Sequence, residues 1–175
     1  GFGARVAAES YIVKDGKPKA QIVIVEKPTR MQNLAARELQ KYVTKITGAE
    51  LPITSEPTGD YPVNIYVGES RFTKELGLEN DDLIDGGFLM KSGKDWLALV
   101  GRDDDYFRET PADGGPIYPR NRGDRKRAGK EWEKKYGGKW GSHLMSSFKG
   151  YHKGLGLWSV DEHGSLNAVN EFLRS

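Results

Sequence analysis

The stretch TRMQNLAARELQKYVTKITG, residues 29–48, decides the fold, because it carries signals for the start, the buried face and the end of one helix. Thr29 and Gln32 are spaced as a capping box, in which each side chain satisfies a backbone N–H of the first turn. Gly48 stands where a left-handed C-cap is favoured. We therefore predict a helix from about residue 30 to 47. Its apolar face, at helical spacing, consists of Met31, Leu34, Ala35, Leu39, Tyr42, Val43 and Ile46.

Segments rich in β-branched residues lie on both sides of this helix and predict strands. The predicted strands are 10–14, 20–25, 51–55, 62–67, 87–91 and 95–100. The first two flank the turn-like DGKPK and predict a hairpin or two neighbouring strands, and the last two predict a hairpin turning at residues 92–94. A short helical segment is predicted around Glu69–Leu76, and the C-terminal apolar stripe predicts a closing helix that begins near Asp161.

These elements predict an α+β fold with a mixed or mostly antiparallel sheet, one face of which is covered by the helices at 30–47 and 163–174. We expect one domain over residues 1–175. Its core comprises about 6–103 and 158–174, and a long irregular insertion occupies about 104–157. The insertion is predicted from its many glycines and from the loss of any period of two or 3.6 residues.

The composition excludes several classes of protein. Hydrophobic residues make up 37% of the 175 residues, which is enough for one core, and the net charge of +2 is too small to indicate a polyanionic partner. The chain has no cysteine, which excludes a disulfide scaffold and a thiolate metal site. No apolar run approaches about 18 residues, so no membrane span is expected.

The insertion carries the strongest compositional signal. Between Arg120 and Lys153, eleven Lys or Arg residues stand against three acids, and aromatic residues are interleaved with them. Exposed aromatic rings stack on sugars and cations pair with uronate or sulfate groups, so the candidate carbohydrate-binding residues are Trp132, Tyr136, Trp140, Tyr151 and Trp158. The alternatives are a surface loop whose aromatics pack against protein, and a single-stranded nucleic-acid site.

No catalytic or metal site is predicted within the chain. The run Asp103–Asp105 with Glu109 lacks a recognisable setting for paired catalytic carboxyls, and adjacent aspartates are typical of a solvated turn. The histidines His143, His152 and His163 show no metal-binding spacing. We expect no cofactor.

Three stretches resemble a known family: AARELQKYVTKITGAELPI at 35–53, VNIYVGES at 63–70, and DEHGSLNAVNEFL at 161–173, the last preceded by the strand WLALVGRD at 96–103. Together they resemble the N-terminal domain of family 67 α-glucuronidases, the second domain of family 20 β-hexosaminidases, and related uncharacterised bacterial polysaccharide-utilisation proteins. The resemblance implies core positions at Leu39, Tyr42, Ile46, Leu51, Val169 and Phe172, and backbone-permissive turns at Gly48 and Gly164. This chain departs from the family pattern in its long insertion and at His163, Asn167 and Asn170.

In that family the catalytic carboxylates lie in a (β/α)8 barrel that follows this domain. The resemblance therefore implies a non-catalytic accessory domain, with the downstream barrel of the same parent chain as its partner and an extracellular or periplasmic location. Two other functions stay open. One is a carbohydrate-binding module that uses the insertion, with acidic polysaccharide as partner, and the other is a nucleic-acid-binding domain.

Overall fold

The computed structural model describes residues 10–84, 86–105 and 161–175, positions 130 and 134, and the backbone of 151–152 and 157–158. The chain forms two compact units. The first comprises Gly1–Asp104 and Glu162–Ser175, and the second comprises Asp105–Asp161.

Helix α1, Arg30–Thr47, has the predicted bounds and both predicted caps. The N–H of Gln32 donates to the Thr29 hydroxyl at 3.1 Å, and the N–H of Thr29 donates to the Gln32 side-chain oxygen at 3.1 Å. Gly48 adopts a left-handed φ of 75°, and its N–H donates to the Thr44 carbonyl. The local signals of residues 29–48 therefore account for where this helix begins and ends.

The first unit contains a five-stranded sheet in the order β4-β3-β5-β7-β6. Its strands are β3 (Ala20–Val23), β4 (Ile53–Thr54), β5 (Val63–Val67), β6 (Phe88–Ser92) and β7 (Trp96–Gly101). The pairs β3–β4, β3–β5 and β5–β7 are parallel, and only β6–β7 is antiparallel. The α+β class and the mixed sheet are confirmed, but the expected predominance of antiparallel pairing is not found, because most of these strands are joined by crossovers rather than tight turns.

The N-terminal hairpin is smaller than the sequence indicates. It pairs β1 (Val13–Lys14) with β2 (Lys17–Pro18), and it turns through Asp15 and Gly16 with φ of 53° and 67°. The strand that follows, β3, instead enters the main sheet. The second predicted hairpin, β6–β7, is confirmed.

Helices α1 and α3 (Gly164–Arg174) pack on one face of the sheet, as predicted. Alternate residues of the central strands point to this face, and they meet the buried side of α1 and the small, fully buried Ala168 and Val169 of α3. The strand and α1 members of this core include Ala20, Ile22, Ile65, Val67, Leu99, Ala35, Ala36, Leu39 and Val43.

The opposite face of the sheet carries a second, smaller core. Val23, Tyr66, Ala98 and Val100 of the sheet are buried there together with Leu78, and the partly buried Phe72, Leu89 and Trp96 pack against them. Phe72 belongs to the short helix α2 (Arg71–Glu75), so α2 lies on the face opposite α1 and α3. The second capping box, Ser70 with Thr73, starts α2 at Arg71, two residues later than the sequence indicates.

Two of the implied core positions are wrong. Tyr42 is 40% exposed and Ile46 is 72% exposed, whereas Leu39, Leu51 and Val169 are fully buried. The 18 residues of α1 span about 27 Å. The central strands of four to six residues span only about 13–20 Å. The apolar stripe of α1 therefore continues past the end of the sheet that it covers.

Gly164 also differs from its expected role. It begins α3 and is absent from the residues with positive φ, so it is not a left-handed turn. A Cβ at this position would lie 2.3 Å from the backbone N of Arg102. Glycine is needed here for close backbone approach. In the described ranges, no helix is both long and apolar enough to span a bilayer.

Candidate functional site

A cleft opens at the carboxyl ends of three parallel strands of the main sheet. It is lined by residues that directly follow β3, β4 and β5, namely Val25, Glu26, Ser55, Glu56, Ser70, Arg71 and Phe72. Its volume is about 520 Å³. A volume of this size falls in the range of small-molecule sites.

The path of the chain explains why a cleft forms there. After β3 the chain passes to α1 on one face of the sheet, and after β5 it passes to α2 on the other face. The two connections leave adjacent strands in opposite directions, so no segment among the described residues fills the space between them. Such a switch point at the carboxyl ends of the strands is the usual ligand position in open α/β sheets.

The exit of β5 is held against the first turn of α1. Gly68 has φ of 78°, and a Cβ placed there would lie 2.4 Å from the side-chain nitrogen of Gln32. The same Gln32 completes the capping box with Thr29. Because Gly68 has no side chain, the α1 cap and the exit of β5 lie in direct contact, which gives this end of the sheet a defined geometry.

The cleft carries two carboxylates, one guanidinium group and two hydroxyls. Glu56 and Arg71 form an exposed ion pair at 3.1 Å, and such pairs contribute little to stability. Glu26 is exposed and forms no hydrogen bond or ion pair within the part of the chain that the structure describes. The Ser70 hydroxyl accepts the Thr73 N–H at 3.3 Å, so it serves the cap of α2.

The cleft has one aromatic lining residue, Phe72. Phe72 stacks on Tyr66 with ring centroids 5.7 Å apart, and the Arg71 guanidinium lies 4.7 Å from the Phe72 centroid. Burial raises the pKa of the Tyr66 phenol, and the carboxylates of Asp95 and Glu75 raise it further. Beside the cleft, a hydrogen bond and the charge of Glu69 raise the pKa of Lys74. Both pKa values are shifted away from neutrality, whereas acid–base catalysis needs a group whose pKa lies near neutral pH.

A second polar cluster joins the end of β7 to the start of α3. The Asp103 carboxylate accepts the Ser165 N–H at 2.9 Å and also the Ser165 hydroxyl. The Gly101 N–H donates to that hydroxyl at 3.3 Å, and the Gly164 N–H donates to the Arg102 carbonyl at 3.1 Å. Asp103 is therefore not a residue of a solvated turn; its carboxylate caps a helix that lies 62 residues later in the chain.

The candidate sugar-binding residues fall largely outside the described part of the chain. Trp132, Tyr136 and Trp140 lie outside the described residues, as do Glu109 and His143. The backbone of Tyr151 pairs with that of Trp158, as Cα partners of the antiparallel strands β8 (Tyr151–His152) and β9 (Leu157–Trp158). No group of three His, Asp or Glu residues suited to a metal occurs within the described ranges.

Sequence reasoning did not find the cleft. Its lining comes from three segments separated by about 30 and 15 residues, and each segment alone reads as an ordinary loop. The signal that could have found it is the succession of strand, α1, strand, strand and short helix, because helices on opposite faces of a parallel sheet create a switch point.

No protein-family model, curated protein or solved structure matches this chain.

Proposed function

We propose that this chain is a non-catalytic accessory domain of a glycoside hydrolase-like protein, and that it packs against the catalytic barrel of the same parent chain. The observation that carries the proposal is the exposed end of the α1 stripe, where Ile46 is 72% and Tyr42 is 40% exposed. These two side chains lie one helical turn apart on the same side of α1. Both are large hydrophobic side chains that the first unit leaves exposed to solvent.

Most of the remaining apolar face of α1 is buried against the sheet, so the exposure of Tyr42 and Ile46 is confined to the end of the helix. Earlier apolar positions of the same stripe, such as Leu39 and Val43, are buried on the sheet. A solvated helix end is normally polar, whereas an apolar side chain there is favourable when another surface removes it from water. Burying Ile46 in full contributes about 2 kcal/mol to such an interface.

The polar groups of the first unit also suit a supporting role. Asp103 is committed to the α3 cap, and Ser70 is committed to the α2 cap. The cleft contains the carboxylates of Glu26 and Glu56, and both side chains are exposed. A glycosidase general acid is typically held in an apolar pocket, so these exposed carboxylates favour support over hydrolysis.

The test uses the barrel of the parent chain, expressed separately and titrated with the 175-residue chain by calorimetry. We expect Ile46→Lys to weaken association at least tenfold, because it places a charge in an apolar contact. Arg37→Glu is the control, since it reverses a charge, a change of two units, on the exposed opposite side of α1 and should leave association unchanged. Association that is unaffected by Ile46→Lys would contradict the proposed surface.

Catalysis is tested on the isolated chain. We expect no hydrolysis of aryl glycosides or of glucuronoxylan fragments. Hydrolysis that disappears in a Glu26→Gln or Glu56→Gln variant would overturn the proposal, provided that the variant unfolds at the same urea concentration as the parent.

A carbohydrate-binding role of the insertion is a second candidate. The backbone register favours it, because Tyr151 and Trp158, two of the five aromatic candidates, are Cα partners in the antiparallel pair β8–β9. Replacing Trp158 by Ala should reduce retention on immobilised acidic polysaccharide, whereas replacing the exposed Tyr42 should not. Retention that is the same for both variants would contradict this role.

A further inference from the structure

We propose that the cleft at the carboxyl ends of β3, β4 and β5 binds a small neutral polyhydroxylated molecule, of the size of a mono- or disaccharide. This site belongs to the first unit alone and does not depend on the barrel or on the insertion. Its failure would therefore leave the accessory role untouched.

The position of the cleft is the first argument. Its walls come from the ends of three adjacent parallel strands, and the chain leaves β3 and β5 toward opposite faces of the sheet. The geometry is held by the contact between Gly68 and Gln32. A preformed cleft of about 520 Å³ accommodates a ligand of one or two sugar rings without refolding.

The hydrogen-bonding groups of the cleft are the second argument. The Glu26 and Glu56 carboxylates only accept, the Arg71 guanidinium only donates, and the Ser55 hydroxyl does both. A molecule with several hydroxyl groups complements this set, since each hydroxyl donates to a carboxylate or accepts from the guanidinium. Among the described residues Glu26 has no hydrogen bond or ion pair, whereas Glu56 is paired with Arg71, so Glu26 is the more available of the two charged acceptors. Hydrogen bonds to a charged group are stronger than neutral ones.

Charge decides between ligand classes. The two glutamates and one arginine give the lining a formal charge of −1, so phosphate and uronate ligands are repelled. A cationic amine is attracted by Glu26 but meets Arg71 in the same cleft. A neutral polyol avoids both repulsions and uses all three charged groups.

The proposal is tested by nuclear magnetic resonance on the full ¹⁵N-labelled chain. D-Xylose, D-glucose and cellobiose are titrated, with putrescine and inorganic phosphate as charged probes. We expect millimolar binding of at least one sugar, with backbone amide shifts concentrated at Val25–Glu26, Ser55–Glu56 and Ser70–Phe72.

The Glu26→Gln variant should weaken sugar binding about tenfold, because it replaces a charged acceptor by a neutral amide. Its matched control is Glu50→Gln, which makes the same change at an exposed glutamate that precedes β4 and is absent from the cleft. Both variants keep an exposed side chain of the same length, so both should remain folded.

Three outcomes would overturn the proposal: sugar shifts that are absent or lie elsewhere, equal effects of Glu26→Gln and Glu50→Gln, or tighter binding of putrescine or phosphate than of any sugar. Localised sugar shifts that are weakened only by Glu26→Gln would support it.

Discussion

Replacing Gly101, the last residue of β7, by Ala should strongly destabilise the first unit. A Cβ at Gly101 would lie 1.8 Å from the carbonyl carbon of Gly164 and 1.9 Å from the nitrogen of Ser165. Both atoms are backbone, so no side chain can rotate away. Carbon atoms pack at about 3.5–4.0 Å, and the end of β7 must therefore separate from the start of α3 by well over 1 Å.

That separation breaks the hydrogen bonds that join the two elements. They are Gly101 N–H to the Ser165 hydroxyl, Gly164 N–H to the Arg102 carbonyl, and Ser165 N–H to the Asp103 carboxylate. At about 1 kcal/mol for each bond and about 1–3 kcal/mol for overpacking, the loss is about 4–6 kcal/mol. This is a large part of the about 5–15 kcal/mol that holds a domain folded.

Urea unfolding followed by far-ultraviolet circular dichroism measures this loss. The comparison variant is Gly48→Ala, whose Cβ meets nothing within 4 Å but must adopt φ of 75°. Gly48→Ala should lower the free energy of unfolding by only about 1 kcal/mol, because the alanine is strained by its left-handed backbone but its Cβ contacts no other atom. A cost for Gly101→Ala no larger than that for Gly48→Ala would show that β7 and α3 do not approach each other this closely.

Three further changes probe other parts of the first unit. Asp103→Ala should cost about 2 kcal/mol in urea unfolding, because it removes the acceptor of the Ser165 N–H in the first turn of α3. Asp103→Asn should recover part of this loss, and equal losses would contradict a capping role. The pKa of the Tyr66 phenol is higher in the folded chain than in the unfolded chain, because burial disfavours the phenolate. The contribution of the neutral phenol to the free energy of unfolding is therefore fully present below the unfolded pKa, and it is lost as the pH rises through the folded pKa. Tyr66→Phe should therefore flatten the alkaline decline in thermal stability, and an unchanged decline would count against it. Replacing residues 105–161 by a short Gly/Ser bridge should leave a domain that still unfolds cooperatively. The ends to be joined are close, since the Glu162 nitrogen lies 3.1 Å from the Asp104 carbonyl oxygen. Loss of the cooperative transition would show that the core needs the second unit.

The elements that sequence alone predicts are those whose signals are local. The capping box at Thr29 and the left-handed Gly48 act within one helix, so α1 is predicted to the residue. The turn of the β6–β7 hairpin is equally local. Strand partners are not local: the segment after residue 19 pairs with β4 and β5, which lie some 30 and 40 residues later, and no turn signal encodes that choice.

The exposure of Ile46 and the cleft escape sequence reasoning for a related reason. Helical periodicity places Ile46 on the buried side of α1, but burial also requires a sheet long enough to reach it. The cleft depends on which face α1 and α2 each cover, which follows from packing rather than from periodicity. Asp103 was interpreted as a turn residue because its partner, Ser165, is remote in sequence.

The late position of α3 has a consequence for synthesis on the ribosome. The sheet is complete at Gly101, yet the helix that shields part of its larger apolar face begins only at Gly164. At about 5–20 residues per second, roughly sixty intervening residues delay that helix by several seconds, and release from the exit tunnel delays it further. During this interval Leu99 and its neighbours face water in a nascent chain that is otherwise able to fold. Production in cells should therefore depend on translation speed and on holdase chaperones more strongly than the stability of the finished chain would indicate.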